Sequence, residues 1–161
     1  MEYINAEEEK YSSIFTQQPI PRDAKQFYFE VTIDNQGDDG AISIGLVKSD
    51  AKHPNGRMVG WDAGTIGYHG DDGGIYHNSE SSQNTCATYT SVDTVGCFMK
   101  RVIVDGIRYT IVHFTKNGEK LKPVRYIEDG EYYPAIGMGS IGAKVQSKMC
   151  EVDYLYKIEG T

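Results

Sequence analysis

The side chains that could carry out nucleophilic or acid–base chemistry are present, but their spacing matches no known catalytic pattern. The chain contains Ser, His, Asp and three cysteines, Cys86, Cys97 and Cys150, yet no GxSxG sequence and no local signature around a cysteine marks a nucleophile. The acidic cluster EDGE at 128–131 precedes an apolar run. It is typical of a turn, whereas a glycosidase needs two inward carboxylates at a set separation. Cys97 lies in an apolar run and is expected to be a small buried hydrophobe. The sequence therefore predicts no catalytic residues and no enzyme.

Histidines and aspartates in the middle of the chain are the candidates for metal binding. Zinc sites draw on pairs of ligands a few residues apart, a spacing that His69, His77 and Cys86 do not supply. The aspartate pairs at 38–39 and 71–72 lack the spacing of a calcium-binding loop. Each pair neighbours glycine, a context in which an aspartate side chain commonly forms a turn with its own backbone. We therefore predict no metal site.

The string GMGSIG at 137–142 matches the glycine spacing of a dinucleotide-binding turn. In a nucleotide site that turn opens a helix within a βαβ unit. Here the residues that follow, AKVQSKMCEVDYLY, alternate as a strand does. The string is therefore predicted to connect two strands, and no cofactor is expected.

The composition indicates how these residues are positioned. The 161 residues fit one domain, predicted to span 1–161, with a core of about 11–158 and a flexible or short extension at 1–10. The chain has 18 Gly and 12 Tyr but few Leu, and β-branched and aromatic residues favour strands over helices. An all-β fold is predicted.

Charge and cysteine usage limit the partners and the compartment. A net charge of -7 and a pI near 5.0 disfavour binding to the nucleic-acid backbone. No run of about 20 apolar residues could span a bilayer. The odd cysteine set and the acidic start MEYINAEEEK favour an intracellular protein, cytoplasmic or nuclear. A removed signal peptide would leave the same sequence, so a secreted protein remains an alternative.

Several segments alternate with a period of two, the pattern of a strand with one buried face. In QFYFEVTI, Phe27, Phe29, Val31 and Ile33 lie on one face. Strands are also predicted at YSSIF, AISIGLV, EYYPAIGMG, near Ile66 and Ile75, and from 144 to 156. With their turns these give about ten to twelve strands, which suit an antiparallel two-sheet sandwich.

Glycine-containing turns divide these strands. Asp105-Gly106 separates two β-branched runs, and Asp-Gly favours the type I′ turn of a two-residue hairpin. Asn117-Gly118 repeats the pattern. The segment KSDAKHPNGRMVGWDAG at 48–64 predicts a long loop, the kind of connection that often carries function. The tryptophan within this segment, Trp61, lies among glycines and aromatic residues and is expected to belong to the core.

The motifs GWDAGTIGYHGDDG, DTVGCFM, HFTKNGEKL and YYPAIGM occur in one order, together with QQPIPRD, FYFEVTI and AISIGLV before them. In this order the chain closely resembles the SPRY domain, in particular the type found in Ran-binding protein M. The resemblance extends from about Pro19 to Tyr154 of this chain. The resemblance implies a bent antiparallel β-sandwich without catalytic activity. It also implies a protein-interaction module, an adaptor or recognition domain, that holds a short peptide or protein surface through loops at one end. We expect the isolated domain to be monomeric.

Mapped onto this chain, the binding loops of the family fall in three segments. They are the lead-in, the long loop and the connection after YYPAIGM, with candidate residues Pro19, Pro21, Arg22, His53, Arg57, Met58, Gly139, Ser140 and Ile141. The GWD and GYHGDDG motifs are assigned to the scaffold: Trp61, Tyr68, His69, Gly70, Asp71, Asp72 and Gly73.

The chain departs from the family in ways that bear on its ligand. The hairpin around Asp105-Gly106 is longer than in Ran-binding protein M relatives, and SSQNTCATYTS replaces a glycine- and proline-containing stretch. The ten residues before Tyr11 offer only one short element, so a PRY half is not visible in this sequence. Two other functions stay open at this point: a carbohydrate-binding or hydrolysing sandwich, and a secreted effector acting on a host protein.

Overall fold

The described residues form strands and turns and no helix. They are residue 2, residues 10–53 and residues 56–149 of a computed structural model. The strands are β1 Ser12–Phe15, β2 Gln26–Asn35, β3 Ile42–Lys48, β4 Thr65–His69, β5 Gly74–His77, β6 Asn84–Thr85, β7 Thr94–Val104, β8 Ile107–Lys116, β9 Glu119–Lys120, β10 Arg125–Glu128, β11 Tyr132–Met138 and β12 Lys144–Met149. The predicted strands are confirmed within this range. Cys150, Pro54, Asn55, most of the N-terminal extension and the last part of the strand predicted to residue 156 lie outside it.

Two antiparallel sheets face each other, as predicted for a β-sandwich. The first sheet has the order β1-β11-β3-β4-β5-β6, and the second has the order β10-β8-β7-β2-β12, with β9 paired to β8. Consecutive strands are often not neighbours in the sheets, so most contacts join residues far apart in sequence. The sheets enclose one large apolar cluster, which buries side chains such as Phe29, Ile44, Leu46 and Phe114.

The strand β2 shows how alternation builds this core. Phe29, Val31 and Ile33 are fully buried against the first sheet. Tyr28 and Glu30, on the opposite face, are also nearly fully buried, so both faces of this strand are covered. The alternation therefore predicts which residues share a face but does not show which face is exposed.

Both predicted hairpin turns have left-handed backbone at their two central residues. The φ angles are 50° at Asp105 and 77° at Gly106, and 50° at Asn117 and 81° at Gly118. Positive φ at both positions is the requirement of a type I′ turn, which Asp-Gly and Asn-Gly meet at low cost. These turns fix the register of β8 with β7 and β9.

Among the described residues, no helix is long and apolar enough to cross a membrane.

Candidate functional site

The long loop between β3 and β4 folds back over the outer face of the first sheet. The backbone N–H of Val59 donates to Ser43 Oγ at 3.1 Å, and Ser13 Oγ donates to the Arg57 carbonyl at 2.9 Å. Val59 also packs with Val47 and Ala135 in a small apolar cluster separate from the main core. The loop is therefore part of the packed structure, and its side chains have fixed positions over three strands.

A carboxylate near the end of the loop holds two basic side chains. Asp62 accepts a hydrogen bond from His53 Nδ1 at 2.8 Å and one from Arg57 Nε at 3.1 Å. Arg57 also pairs with Glu80, whose hydrogen bond is the main cause of a raised pKa of the guanidinium. These contacts hold Arg57 as a positively charged group, with 27% of its side chain exposed.

Aromatic rings pack next to this charged group. The Arg57 guanidinium lies 5.2 Å from the ring centre of Trp61, a cation–π distance. Trp61 meets Tyr11 edge to face at 5.2 Å and His69 at 5.9 Å. We expected Trp61 to belong to the core, but its ring is only half-buried and lies outside both buried apolar clusters.

A cleft of about 300 Å³ opens beside His53, where the long loop leaves β3. We call it the long-loop cleft; it is lined by Phe15, Thr16, Val47, Lys48, Ser49, Ala51, His53 and Tyr133. Phe15 is 44% exposed and contacts the His53 ring at 5.8 Å. Its aromatic walls suit one apolar side chain of a partner, and the polar side chains of Thr16, Lys48 and Ser49 beside them suit the partner's backbone.

The His53–Asp62 pair has the arrangement of a general base held by a carboxylate. His53 Nε2 is buried and has no hydrogen-bond partner in the described part of the chain. In particular, no described hydroxyl or thiol bonds to it, so the geometry supplies no nucleophile–base pair. Burial raises the pKa of the Cys86 and Cys97 thiols, which makes them poorer nucleophiles.

The structure separates two of the three predicted binding segments. In the lead-in, the Ile20 N–H donates to the carbonyl of Tyr132, where β11 begins. Gly139 follows the other end of β11, and its N–H donates to the Ala41 carbonyl. The lead-in residues Pro19, Pro21 and Arg22 and the connection 139–141 therefore lie at opposite ends of this strand. They do not lie together at one end of the sandwich, as we expected of the binding loops.

Two residues of the predicted set have structural roles in the fold. Met58 is 1% exposed. Ser140 is fully buried, and its Oγ accepts hydrogen bonds from the backbone N–H groups of Asp39 and Gly40 at 3.0 and 3.1 Å. Within the same connection, Ile141 is 50% exposed. Only Ile141 in this connection offers an accessible apolar side chain.

The GYHGDDG segment lies in β4 and the turn to β5. Tyr68 is buried in the core against Tyr89 and Phe114, and Gly70 packs on the Tyr89 ring. Asp72 accepts from the Gly74 N–H at 2.7 Å and from the Tyr76 hydroxyl.

His69, Asp71 and Asp72 could bring ligand atoms within 4.8 Å of one another. His69 Nε2, however, is hydrogen-bonded to the Val59 carbonyl. Both Asp72 carboxylate oxygens accept hydrogen bonds, from the Gly74 N–H and the Tyr76 hydroxyl. The turn-forming role predicted from the neighbouring glycines accounts for these contacts. The string at 137–142 ends β11 and leads to β12, so it opens no helix.

Sequence reasoning did not find Phe15, Tyr133, Asp62 or Glu80 as neighbours of the predicted loop residues. The alternation in EYYPAI does place Tyr133 on the face opposite Tyr132, which is a usable signal. The pairing of Glu80 with Arg57 joins residues 23 positions apart, and no sequence pattern indicates it.

Comparisons with known proteins agree on one family. The model of the SPRY domain family matches residues 26–151. Ran-binding protein 9 of Xenopus tropicalis is 32% identical over 148 residues, covering 92% of this chain and 26% of that protein. The Ran-binding proteins 9/10 homolog of Drosophila melanogaster is 32% identical over 136 residues, covering 84% of this chain and 13% of that protein.

A solved structure shows the same likeness. The crystal structure of a human SPRY domain superimposes with a TM-score of 0.73 at 26% identity, covering 85% of this chain and 83% of the other. The chain spans about a quarter or less of the two curated relatives.

Proposed function

The chain belongs to the SPRY domain family, and on this premise we propose that it is a non-enzymatic recognition module that binds a short peptide or protein surface. SPRY domains are protein-interaction modules. The finer assignment rests on one observation: an aromatic-walled cleft and a fixed arginine lie side by side on the packed long loop. We further propose that the module is monomeric and serves as an adaptor or substrate-recognition domain.

The proposed binding surface is the long-loop cleft together with Arg57 and Trp61. Phe15, Tyr133 and His53 would enclose an apolar anchor of the ligand, and buried anchors in pockets supply most of the affinity of such interfaces. Arg57 would contact a carbonyl of the ligand with the Nη hydrogens that Asp62 and Glu80 leave free. Because the Asp62 and Glu80 contacts already hold the guanidinium, little side-chain entropy would be lost on binding.

An intracellular location is also part of the proposal. Two free thiols, Cys86 and Cys97, support a reducing compartment. The partner is a protein or peptide, and the net charge of -7 disfavours nucleic acid.

The test is selection from a random peptide display library, followed by affinity measurement of the selected peptides by fluorescence anisotropy. Phe15→Ala removes one wall of the cleft and is expected to weaken binding about tenfold or more. Ile14→Ala is the matched control because it alters the opposite face of the same strand. Both variants are checked by thermal unfolding. Equal affinity for wild type and Phe15→Ala would show that the ligand binds elsewhere.

A glycan array with a hydrolysis screen tests the alternative function. Reproducible binding or cleavage of a sugar, abolished by the same Phe15→Ala change, would replace the peptide proposal.

A further inference from the structure

The hairpin of β7 and β8 extends beyond both of its neighbouring strands. In β2 the pairing with β7 begins at Gln26, opposite Lys100, and in β10 the pairing with β8 ends at Glu128, opposite Tyr109. Residues 102–108, which we call the ribbon, therefore have no neighbouring strand on either side within the described residues.

The ribbon exposes large apolar side chains to solvent. Ile103 is 68% exposed, Ile107 56% and Val104 42%. A two-stranded ribbon gains little stability from exposed apolar groups, and contiguous apolar exposure commonly marks an interaction surface. By the register of the hairpin, Ile103 lies opposite Arg108 on one face, while Val104 lies opposite Ile107 on the other.

Arginines surround the base of the ribbon. A cavity of about 210 Å³ there is lined by Arg22, Arg101, Val102, Ile103, Arg108, Tyr109 and Asp129. Three of the five arginines of an acidic chain line it. Asp129 is the one carboxylate among these lining residues, and it pairs with Arg22 at 3.7 Å. Asp23 contributes a further negative charge near Arg101. The local charge at the cavity is positive.

One side of the Arg101 guanidinium is hydrogen-bonded, and the other side has no partner among the described residues. Nη1 donates to the carbonyls of Pro21 and Ala24 in the lead-in, which holds the side chain in place. Nε and Nη2 are buried and have no partner in the described part of the chain. These two nitrogens form the edge of the guanidinium that binds a carboxylate with two parallel hydrogen bonds. Buried unpaired donors cost free energy that an incoming acceptor recovers.

Burial, and then the proximity of Arg22, lower the pKa of Arg101. Asp129 and Asp23 act in the opposite direction but do not offset these two effects, so the charge is only partly compensated within the fold and a bound anion would complete that compensation.

We propose that the ribbon and this cavity form a second docking site, which binds a protein segment carrying an Asp or Glu beside an apolar residue. The carboxylate occupies the cavity between Arg22 and Arg108 and, with a shift of the Arg101 side chain that uncovers its buried Nε and Nη2, accepts hydrogen bonds from both nitrogens. The apolar side chain packs on Ile103. The site is distinct from the long-loop cleft and shares no lining residue with it.

A pair of displayed peptide libraries tests the proposal on the whole chain. In one library the central residue is Asp or Glu, in the other Asn or Gln, and the flanking residues are random in both. Enrichment is expected from the acidic library only, with apolar residues next to the central position. Binding of the enriched peptides should weaken as salt is raised, because the interaction depends on charge.

Variants then locate the site. Arg108→Glu and Ile103→Asn change exposed side chains. Each substitution is expected to weaken binding of the enriched peptides about tenfold or more. Arg101→Lys keeps the charge but removes the two-point contact, and a similar loss is expected. Lys100→Glu is the matched control, since it makes the same charge change as Arg108→Glu at the residue before Arg101, outside the cavity. The affinity of this variant for the peptides should stay within about twofold of the wild-type value.

The proposal would be overturned by no enrichment from the acidic library, by equal enrichment from the amide library, or by unchanged affinity in Arg108→Glu and Arg101→Lys. An oligonucleotide that bound these arginines more tightly than the peptides would also overturn it. Phe15→Ala separates the two sites, because it should leave acidic-library binding intact whether or not the long-loop cleft has a ligand.

Discussion

His69 donates a hydrogen bond from Nε2 to the carbonyl oxygen of Val59 at 2.8 Å. The bond joins β4 to the long loop in a site where the His69 side chain is almost fully buried. Burial lowers the pKa of His69, so the ring is neutral at pH 7 and carries its proton on Nε2. The contact holds the loop against the sheet, and the position of the long-loop cleft depends on it.

Substitution of Gly67 should displace the long loop. A Cβ at Gly67 would overlap the Val59 carbonyl, so Gly67→Ala is expected to lower the free energy of unfolding by about 3 kcal/mol through overpacking. Urea unfolding measures the change. Gly106→Ala is the control, because a Cβ there meets no atom within 4 Å. Its only cost is the left-handed φ, about 1 kcal/mol. Equal decreases in the free energy of unfolding of both variants would show that the loop does not pack against Gly67.

Acid should destabilise the fold through His113. Burial lowers its pKa to about 4 from an ordinary 6.5. Between these values the unfolded chain binds a proton that the folded chain does not, so this contribution to stability falls as pH falls below 6.5. The loss is expected to be up to roughly 1 kcal/mol per pH unit. Urea unfolding from pH 7 to pH 5 measures it, and His113→Gln should reduce the slope of the free energy of unfolding against pH. An identical slope in the variant would assign the acid sensitivity to other groups.

Val92→Asn is expected to stabilise the protein. Val92 has a φ of 69° and is 86% exposed, so a β-branched residue bears left-handed strain while burying little surface. Asn tolerates this conformation, and a gain of about 1 kcal/mol in the free energy of unfolding is expected. Thermal unfolding of the two proteins measures it. Asp105→Val is the reverse experiment, at an exposed position with a φ of 50°, and should destabilise. A loss of stability in Val92→Asn would contradict the strain argument.

Ser140→Ala should destabilise the fold without changing peptide affinity. The substitution removes the acceptor of the Asp39 and Gly40 N–H groups, and buried donors without a partner cost about 2 kcal/mol together. Chemical unfolding gives the stability, and anisotropy with the selected peptides gives the affinity. Ser147→Ala, at an exposed position of β12, is the control. Reduced affinity at unchanged stability would instead place Ser140 in the binding site.

Local patterns were sufficient to predict the strands and their turns. Asp105-Gly106 and Asn117-Gly118 specify their hairpins, because few residues adopt positive φ at low cost. The alternation in QFYFEVTI identifies the core face of β2 by the geometry of the strand itself. The burial of Glu30 on the other face could not be predicted in this way, since it depends on what covers the sheet.

Local sequence patterns are enough to predict an all-β chain of short antiparallel strands, its hairpins, its long loop and its family. Which loops meet depends on the tertiary packing. β11 separates the lead-in from the connection at 139–141, and the packing of the long loop on the sheet brings Arg57 to Glu80 and His53 to Phe15. The physical reason is that turns and alternation act between near neighbours. Sheet order and loop packing, by contrast, depend on contacts between residues far apart in the chain, which no local pattern records.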